Sequence, residues 1–300
     1  MKWKKLGRLF VTDNIHPQLI THAANPVILY LKGNKFRVFY SGRDIDNRAS
    51  ISFFDMQLDG ENFSIDYVHK QPILTPGRIG CFDDSGVSVS CILQVDDTLW
   101  LYYLGWNLGV TVPWRNSIGL AKSKDGIHFE RVQLSPVLDR NYHDPFSISY
   151  PWVIKTSDIW HMWYGSNLSW GESQEEMAHL IKYASSTDGV NWNPSGEISV
   201  PFQSDSEYAI SKPCVVREDG KYKMWYSYRG DAYRIGYAES PSEVDFNRLD
   251  NQVGISVSSS GWDSETIEYP CVFDHKGRRY MLYNGNRYGL SGIGLAIQDV

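Results

Sequence analysis

Carboxylates stand just ahead of short apolar runs at several points of the chain: Asp83 and Asp84 before 85–89, Glu268 before Tyr269-Pro270, and Asp144 within Tyr142-His143-Asp144-Pro145. Glu207 and Glu265 stand a little further ahead of two such runs. Two carboxyl groups brought to one point can divide acid and base work, because repulsion raises the pKa of one and leaves its partner ionised. Cleavage of an acetal needs that division: one group protonates the leaving oxygen while the other activates water or attacks carbon. Asp84 and Glu268 are the predicted pair, with Asp144 orienting or tuning one of them. The competing account makes Asp83, Asp84 and Asp144 turn residues and Glu268 an ion-pair partner of Arg287.

A second group of residues lies on five loops: Gly42-Arg43-Asp44, Gly105-Trp106-Asn107, 166–170 with Asn167 and Trp170, Tyr228-Arg229-Gly230-Asp231 and Gly285-Asn286-Arg287-Tyr288. Fixed donors and acceptors beside an aromatic face are what a sugar ring requires, since hydroxyls need hydrogen bonds and the ring has an apolar side. Arg43, Arg229 and Arg287 add guanidinium forks suited to phosphate or carboxylate, unless Asp44 and Asp231 pair with them locally. Asn25, Asp83, His143, Glu207 and Lys212 complete the predicted substrate-binding set. The eight histidines show no ligand spacing, so neither a metal nor a cofactor is expected. Cys81, Cys91, Cys214 and Cys271 form no C-x-x-C pair and read as free thiols, mostly buried.

These residues are positioned by a repeat. An apolar run opens each of five copies: 25–29, 85–89, 150–154, 212–216 and 269–273. A polar turn follows, then a second run that closes on Tyr40, Tyr103, Tyr164, Tyr226 and Tyr283, spaced 63, 61, 62 and 57 apart. A third run reads Ile-Gly-Leu-Ala at 118–121 and 293–296, with close variants at 181–184 and 235–238 and a looser copy at 51–54. Asp59-Gly60, Asp125-Gly126 and Asp188-Gly189 then turn into a fourth. The expected fold is all-β: a five-bladed β-propeller of four-stranded antiparallel blades in one domain over 1–300. The last copy lacks an outer strand, and 3–10 is expected to supply it and close the ring. The short Asp-Gly turns then share one face, and the five loops share the other, where binding is expected.

With a formal net charge of −6, the chain has no basic excess for a nucleic-acid backbone. No segment approaches a membrane span, and the first ten residues lack the apolar stretch of a secretory leader. A soluble cytoplasmic protein with no membrane partner is expected.

The repeated strands, with "Y-x-M-W-Y" and "I-G-x-A" among their signatures, resemble the five-bladed propeller superfamily that includes glycoside hydrolase families 43, 32, 68 and 130. The resemblance implies an axial funnel in which carboxylates act on a glycosidic bond. Asn25 and Ser211 stand where family 43 enzymes carry their base and acid, so those two assignments do not transfer. Three activities follow as expectations: a glycoside-cleaving enzyme; a phosphorylase or transferase using phosphate or an anionic or nucleotide-linked sugar; or a carbohydrate-binding propeller without catalysis.

Overall fold

Each apolar run becomes a strand because aromatic and β-branched side chains pack on a pleated surface, while Asp and Gly turn the chain back between runs. Asp125 shows how: its Oδ1 accepts the N–H groups of Ile127 and His128 at 2.9 and 2.8 Å. Asp188 does the same for Val190 and Asn191.

The computed structural model describes residues 1–171 and 177–299, and it is all-β. Strand β1 (Trp3–Phe10) leads the chain. One antiparallel sheet follows as β2 (Thr21–Lys32), β3 (Lys35–Arg43), β4 (Ala49–Asp59) and β5 (Asn62–Val68). Another holds β6 (Gly86–Val95), β7 (Thr98–Leu108), β8 (Trp114–Ser123) and β9 (Glu130–Arg131).

The third and fourth copies give β10 (Ile148–Lys155), β11 (Trp160–Asn167), β12 (His179–Ser186), β13 (Asn193–Val200), β14 (Ala209–Glu218), β15 (Lys221–Arg229), β16 (Tyr233–Ser240) and β17 (Asn247–Arg248). Separate sheets were expected here. A parallel contact of His179 with Ala209 instead joins the two antiparallel sets into one sheet of eight strands. The last sheet runs β18 (Glu268–His275), β19 (Arg278–Asn284), β20 (Ile293–Gln298), with β1 as its outer strand. Trp3, Leu9 and Phe10 are buried by that pairing.

The first strands of the five sets pack in a cycle: β2 on β6, β6 on β10, β10 on β14, β14 on β18 and β18 on β2. Side-chain acceptors stitch neighbours together. The Val89 N–H bonds Ser41 Oγ at 2.9 Å, and the Tyr269 N–H bonds Ser227 Oγ at 2.7 Å. Sulfur takes the same part where the Val272 N–H meets Cys214 Sγ at 3.1 Å and the Val153 N–H meets Cys91 Sγ at 3.5 Å. Cys91, Cys214 and Cys271 are thus buried free thiols at the joints between strands, and Cys81 is a half-buried one. Among the described residues no helix is long and apolar enough to cross a membrane.

Candidate active site

Every first strand carries a bulge opposite the closing tyrosine of the second strand. Two residues face one in four of the sets: Asn25-Pro26, Tyr150-Pro151, Lys212-Pro213 and Tyr269-Pro270. Asn25, Tyr150, Lys212 and Tyr269 hold φ of 55°, 42°, 51° and 57°, a left-handed backbone that re-aims their side chains. In β6 the extra residue is Ser90, so Cys91 shares a level with Val27, Trp152, Cys214 and Cys271. That corrects the alignment read from sequence, which matched Val87 with Val27.

The correction moves a predicted catalytic residue. Immediately before the bulges, Ala24, Ser88, Ser149, Ser211 and Glu268 occupy one level of the five strands. Asp84 lies four residues ahead of Ser88, off the strand, where it accepts the Gly80 N–H at 2.9 Å and the Ser85 hydroxyl at 2.8 Å. It closes its own loop, and no contact brings it to Glu268.

Asp83 and Asp144 belong to a recurring network. Tyr103 donates to Asp83 Oδ2 at 3.0 Å beside Arg131 Nε at 2.8 Å. Tyr164 donates to Asp144 Oδ2 at 2.8 Å, while Ser166, Asn141 and Lys182 also donate to that carboxylate at 2.6, 3.0 and 3.1 Å. Tyr283 and Lys5 hold Asp263 in the same way, and Tyr226 and Arg248 hold Asp250. Burial would raise the Asp144 carboxyl, but its donors outweigh burial and hold it below the usual carboxylate value. A fully buried carboxylate with four donors fixes its loop and has no lone pair directed at a substrate.

Glu268 is the opposite case. It is 1% exposed, and its carboxyl oxygens have no side-chain hydrogen-bond partner among the described residues; the Tyr288 backbone N–H is directed at them outside good hydrogen-bond geometry. Burial pushes its pKa up to about 8, against a weaker downward pull from the Tyr288 backbone and the Arg229 guanidinium. It opens on a cavity of about 180 Å³ shared with Arg229, Asp231, Tyr233, Glu265, Arg287 and Tyr288. Arg229 lies 5.4 Å from the rings of both Tyr208 and Tyr233 and donates to Tyr288 Oη at 3.0 Å. The Tyr150 and Tyr269 rings pack 5.6 Å apart beneath this group, and Tyr269 reaches Tyr233 at 6.3 Å. A larger cavity of about 470 Å³, on the turn face, contains no buried unpaired carboxyl, so Glu268 decides which cavity is the candidate active site.

Three of the predicted residues therefore converge: Glu268, Arg229 and Arg287. Asn286 supports them from behind, its Oδ1 accepting the N–H groups of Glu265 and Thr266 at 2.8 and 3.1 Å. Arg43 does not line the cavity and donates to Asn47 at 2.7 Å, within its own loop. The Asn25 N–H bonds Asn284 Oδ1 at 2.8 Å, latching β2 to β19. Lys212 is completely buried, donates to Ser90 O at 3.0 Å and lies over Trp152, which places it in the core. Glu207 binds Arg248 at 2.6 and 2.9 Å. The His143 ring packs on Tyr142 and against Gly196 of β13, an outer strand. Trp106 covers Gly86, and Asn107 pairs with Arg115 across β7 and β8. Asn167 is buried, and Trp170 packs edge-on to Trp114, so both stay with the loops of the second and third sets.

No family model matches the chain. Two proteins of Mycobacterium tuberculosis match it along 100% of both sequences: Uncharacterized protein MT1551 of strain CDC 1551 / Oshkosh, 47% identical over 301 residues, and Uncharacterized protein Rv1502 of strain ATCC 25618 / H37Rv, 46% identical over 301. The chain belongs to their family. Its fold is that of propeller-type glycoside hydrolases. A glycoside hydrolase superposes with a TM-score of 0.73 at 16% identity, covering 98% of this chain and 90% of its own. A glycosyl hydrolase from Bacteroides ovatus gives 0.67 at 16%, covering 99% and 94%. A thermostable family-43 glycoside hydrolase gives 0.66 at 15%, covering 96% and 91%.

Sequence reasoning missed Tyr233 and Thr266 as cavity residues, and it placed Asp231 and Tyr288 on the binding loops without assigning either to the substrate. Arg287 and Tyr288 adopt φ of 58° and 57° ahead of Gly289, where a side chain would overlap Asn284 and Ala23, so the loop folds tightly back toward β2.

Proposed function

We propose that this protein cleaves a glycosidic bond at the loop face of a five-bladed, single-domain propeller, with Glu268 as general acid. The cyclic packing of β2, β6, β10, β14 and β18, and the pairing of β1 with β20, support the blade count and the closure. The observation that carries the function is a buried carboxyl with no side-chain partner among the described residues and a pKa of about 8, facing a cavity. Such a group is protonated at neutral pH and can give its proton to a leaving oxygen. The carboxylate that remains is stabilised by the Arg229 guanidinium beside it.

Glu265 serves as the ionised partner that activates water or attacks the anomeric carbon. It is exposed on the same cavity, and its backbone is held from two sides: the N–H by Asn286 and the carbonyl by Arg234 Nη1 at 2.9 Å. Turnover of a panel of aryl glycosides tests this reading. Glu268→Gln and Glu265→Gln should each lower kcat by about a hundredfold with binding retained. Undiminished turnover in Glu268→Gln would remove the acid from the mechanism, and ligand binding without turnover in the unaltered protein would make the propeller a carbohydrate-binding module.

A second observation favours an anionic ligand. Arg229 and Arg287 both line the cavity, neither forms an ion pair among the described residues, and Arg229 Nε–H has no acceptor. Two guanidinium groups beside a neutral acid suit a sugar carboxylate or a phosphate. Phosphate-dependent release of a sugar phosphate would mark a phosphorylase, and phosphate-independent cleavage of uronic glycosides would mark a hydrolase.

A further inference from the structure

The larger cavity lies on the opposite face from Glu268, between the turns of the third and fourth sets. Ile159, His161, Tyr183, Ser185, Thr187 and Asn193 line it, with Glu243 reaching in from the fourth set. Its volume of about 470 Å³ lies within the roughly 300–1,000 Å³ of small-molecule sites.

Its hydrogen bonds can be assigned. Thr156 Oγ1 donates to Ile159 O at 3.0 Å, so toward His161 Nε2, 3.1 Å away, it is an acceptor, and that nitrogen carries the proton. Burial lowers the His161 pKa and keeps the ring neutral, which makes Nδ1 the acceptor of the Tyr183 hydroxyl at 2.7 Å. With its proton committed inward, the Tyr183 oxygen offers the cavity only lone pairs. Glu243 Oε1 accepts from the Tyr222 hydroxyl at 2.9 Å. The nearest basic group in ion-pair range of Glu243 is the uncharged imidazole, at 3.9 Å; Arg217 instead lies over the Tyr222 ring at 5.7 Å. Tyr183, Tyr222 and His161 bring aromatic faces to the same place.

We propose that this cavity binds a small hydroxylated organic cation, its ammonium group between Glu243 and the Tyr183 oxygen and its hydroxyls on Ser185 and Thr187. A half-exposed carboxylate that forms no ion pair with a lysine or arginine among the described residues, flanked by tyrosine faces and acceptor oxygens, attracts a protonated amine through charge, hydrogen bonds and the ring quadrupole together. A neutral sugar would satisfy the hydroxyl groups but leave the carboxylate without a counter-charge.

Glucosamine and glucose form the matched probes, because at pH 7 most of the amine is protonated. Calorimetric titration of the full chain should give glucosamine an affinity at least tenfold above that of glucose. Glu243→Gln should remove that advantage, and Thr187→Arg on the exposed turn should compete with the ligand by supplying a cation of its own. Glu268→Gln, on the other face, should leave glucosamine binding unchanged, which separates this site from the proposed active site. Equal affinity for the two probes, no saturable binding of glucosamine, or full binding in Glu243→Gln would overturn the proposal.

Discussion

Replacing Glu268 by Gln removes a titrating group without changing its shape, and the pH dependence of stability then reports the state of that carboxyl. In the unfolded chain the group titrates near 4.5, whereas burial holds it at about 8 in the fold. Below pH 4.5 both states are protonated and the difference contributes nothing. As pH rises from 4.5 to 8 the unfolded chain loses its proton and the fold keeps it, so unfolding is progressively favoured. One pKa unit corresponds to about 1.4 kcal/mol, so the carboxyl costs about 3 kcal/mol of stability at pH 7 and about 5 kcal/mol above pH 8.

The Gln variant carries none of that pH dependence, although its buried amide shifts its stability by a constant amount. Urea unfolding of both proteins at pH 5, 6 and 7 therefore gives a difference that should move in favour of the variant by about 2.5 kcal/mol across the range. A difference that stays flat between pH 5 and 7 would show that Glu268 ionises like an exposed carboxylate, and the acid role would fall with it.

Asp144→Asn should destabilise the protein by about 3–5 kcal/mol, because Lys182 would be left buried without its counter-charge; thermal unfolding shows this, and a loss of kcat with full stability would return Asp144 to the catalytic set. Arg229→Lys should weaken binding of a phosphate or uronate ligand by about tenfold or more, since an ammonium cannot keep both the Tyr288 contact and a bidentate fork; equal affinity by calorimetry would argue against the anionic ligand. Trp3→Ala should cost about 3–5 kcal/mol through loss of a buried ring on the outer strand β1. Deletion of residues 1–10 should be worse, because β20 would be left as an unpaired apolar edge; an unchanged urea midpoint in the deletion would refute the closing role.

Strand order was legible because aromatic periodicity and Asp-Gly turns are local signals. The level of a residue along the first strand was not. Four of the five bulges carry an X-Pro pair that shows in the sequence, but the one in β6 is marked only by Ser90, and without it the second copy slides by four residues. That slide alone placed Asp84 beside Glu268. The true register was written elsewhere: Asp83, Asp144 and Asp263 each stand 20 residues ahead of the closing tyrosine they bind. Read as a repeat in its own right, that spacing marks Asp83 and Asp144 as partners of Tyr103 and Tyr164. The convergence of Arg229 and Arg287 was legible from loop position, whereas the tie of Arg43 to Asn47 depends on the fold of one short loop.

The same level of the five first strands explains why one set differs chemically from the rest. Ala24, Ser88, Ser149 and Ser211 are small residues that cost little to bury, and the carboxylates near four of the closing tyrosines are neutralised by Lys5, Arg131, Lys182 and Arg248. Glu268 has neither relief. Its own backbone is fixed by pairing with Asn284, and Asn284 in turn holds Ala23 O at 2.6 Å and the Asn25 N–H at 2.8 Å, where the last set meets the first. Glu268 therefore sits on a joint whose backbone is held from both sides, with no ion pair among the described residues to neutralise its carboxyl. A carboxyl on a mobile loop would turn toward water and return to its ordinary pKa, losing the proton that acid catalysis requires.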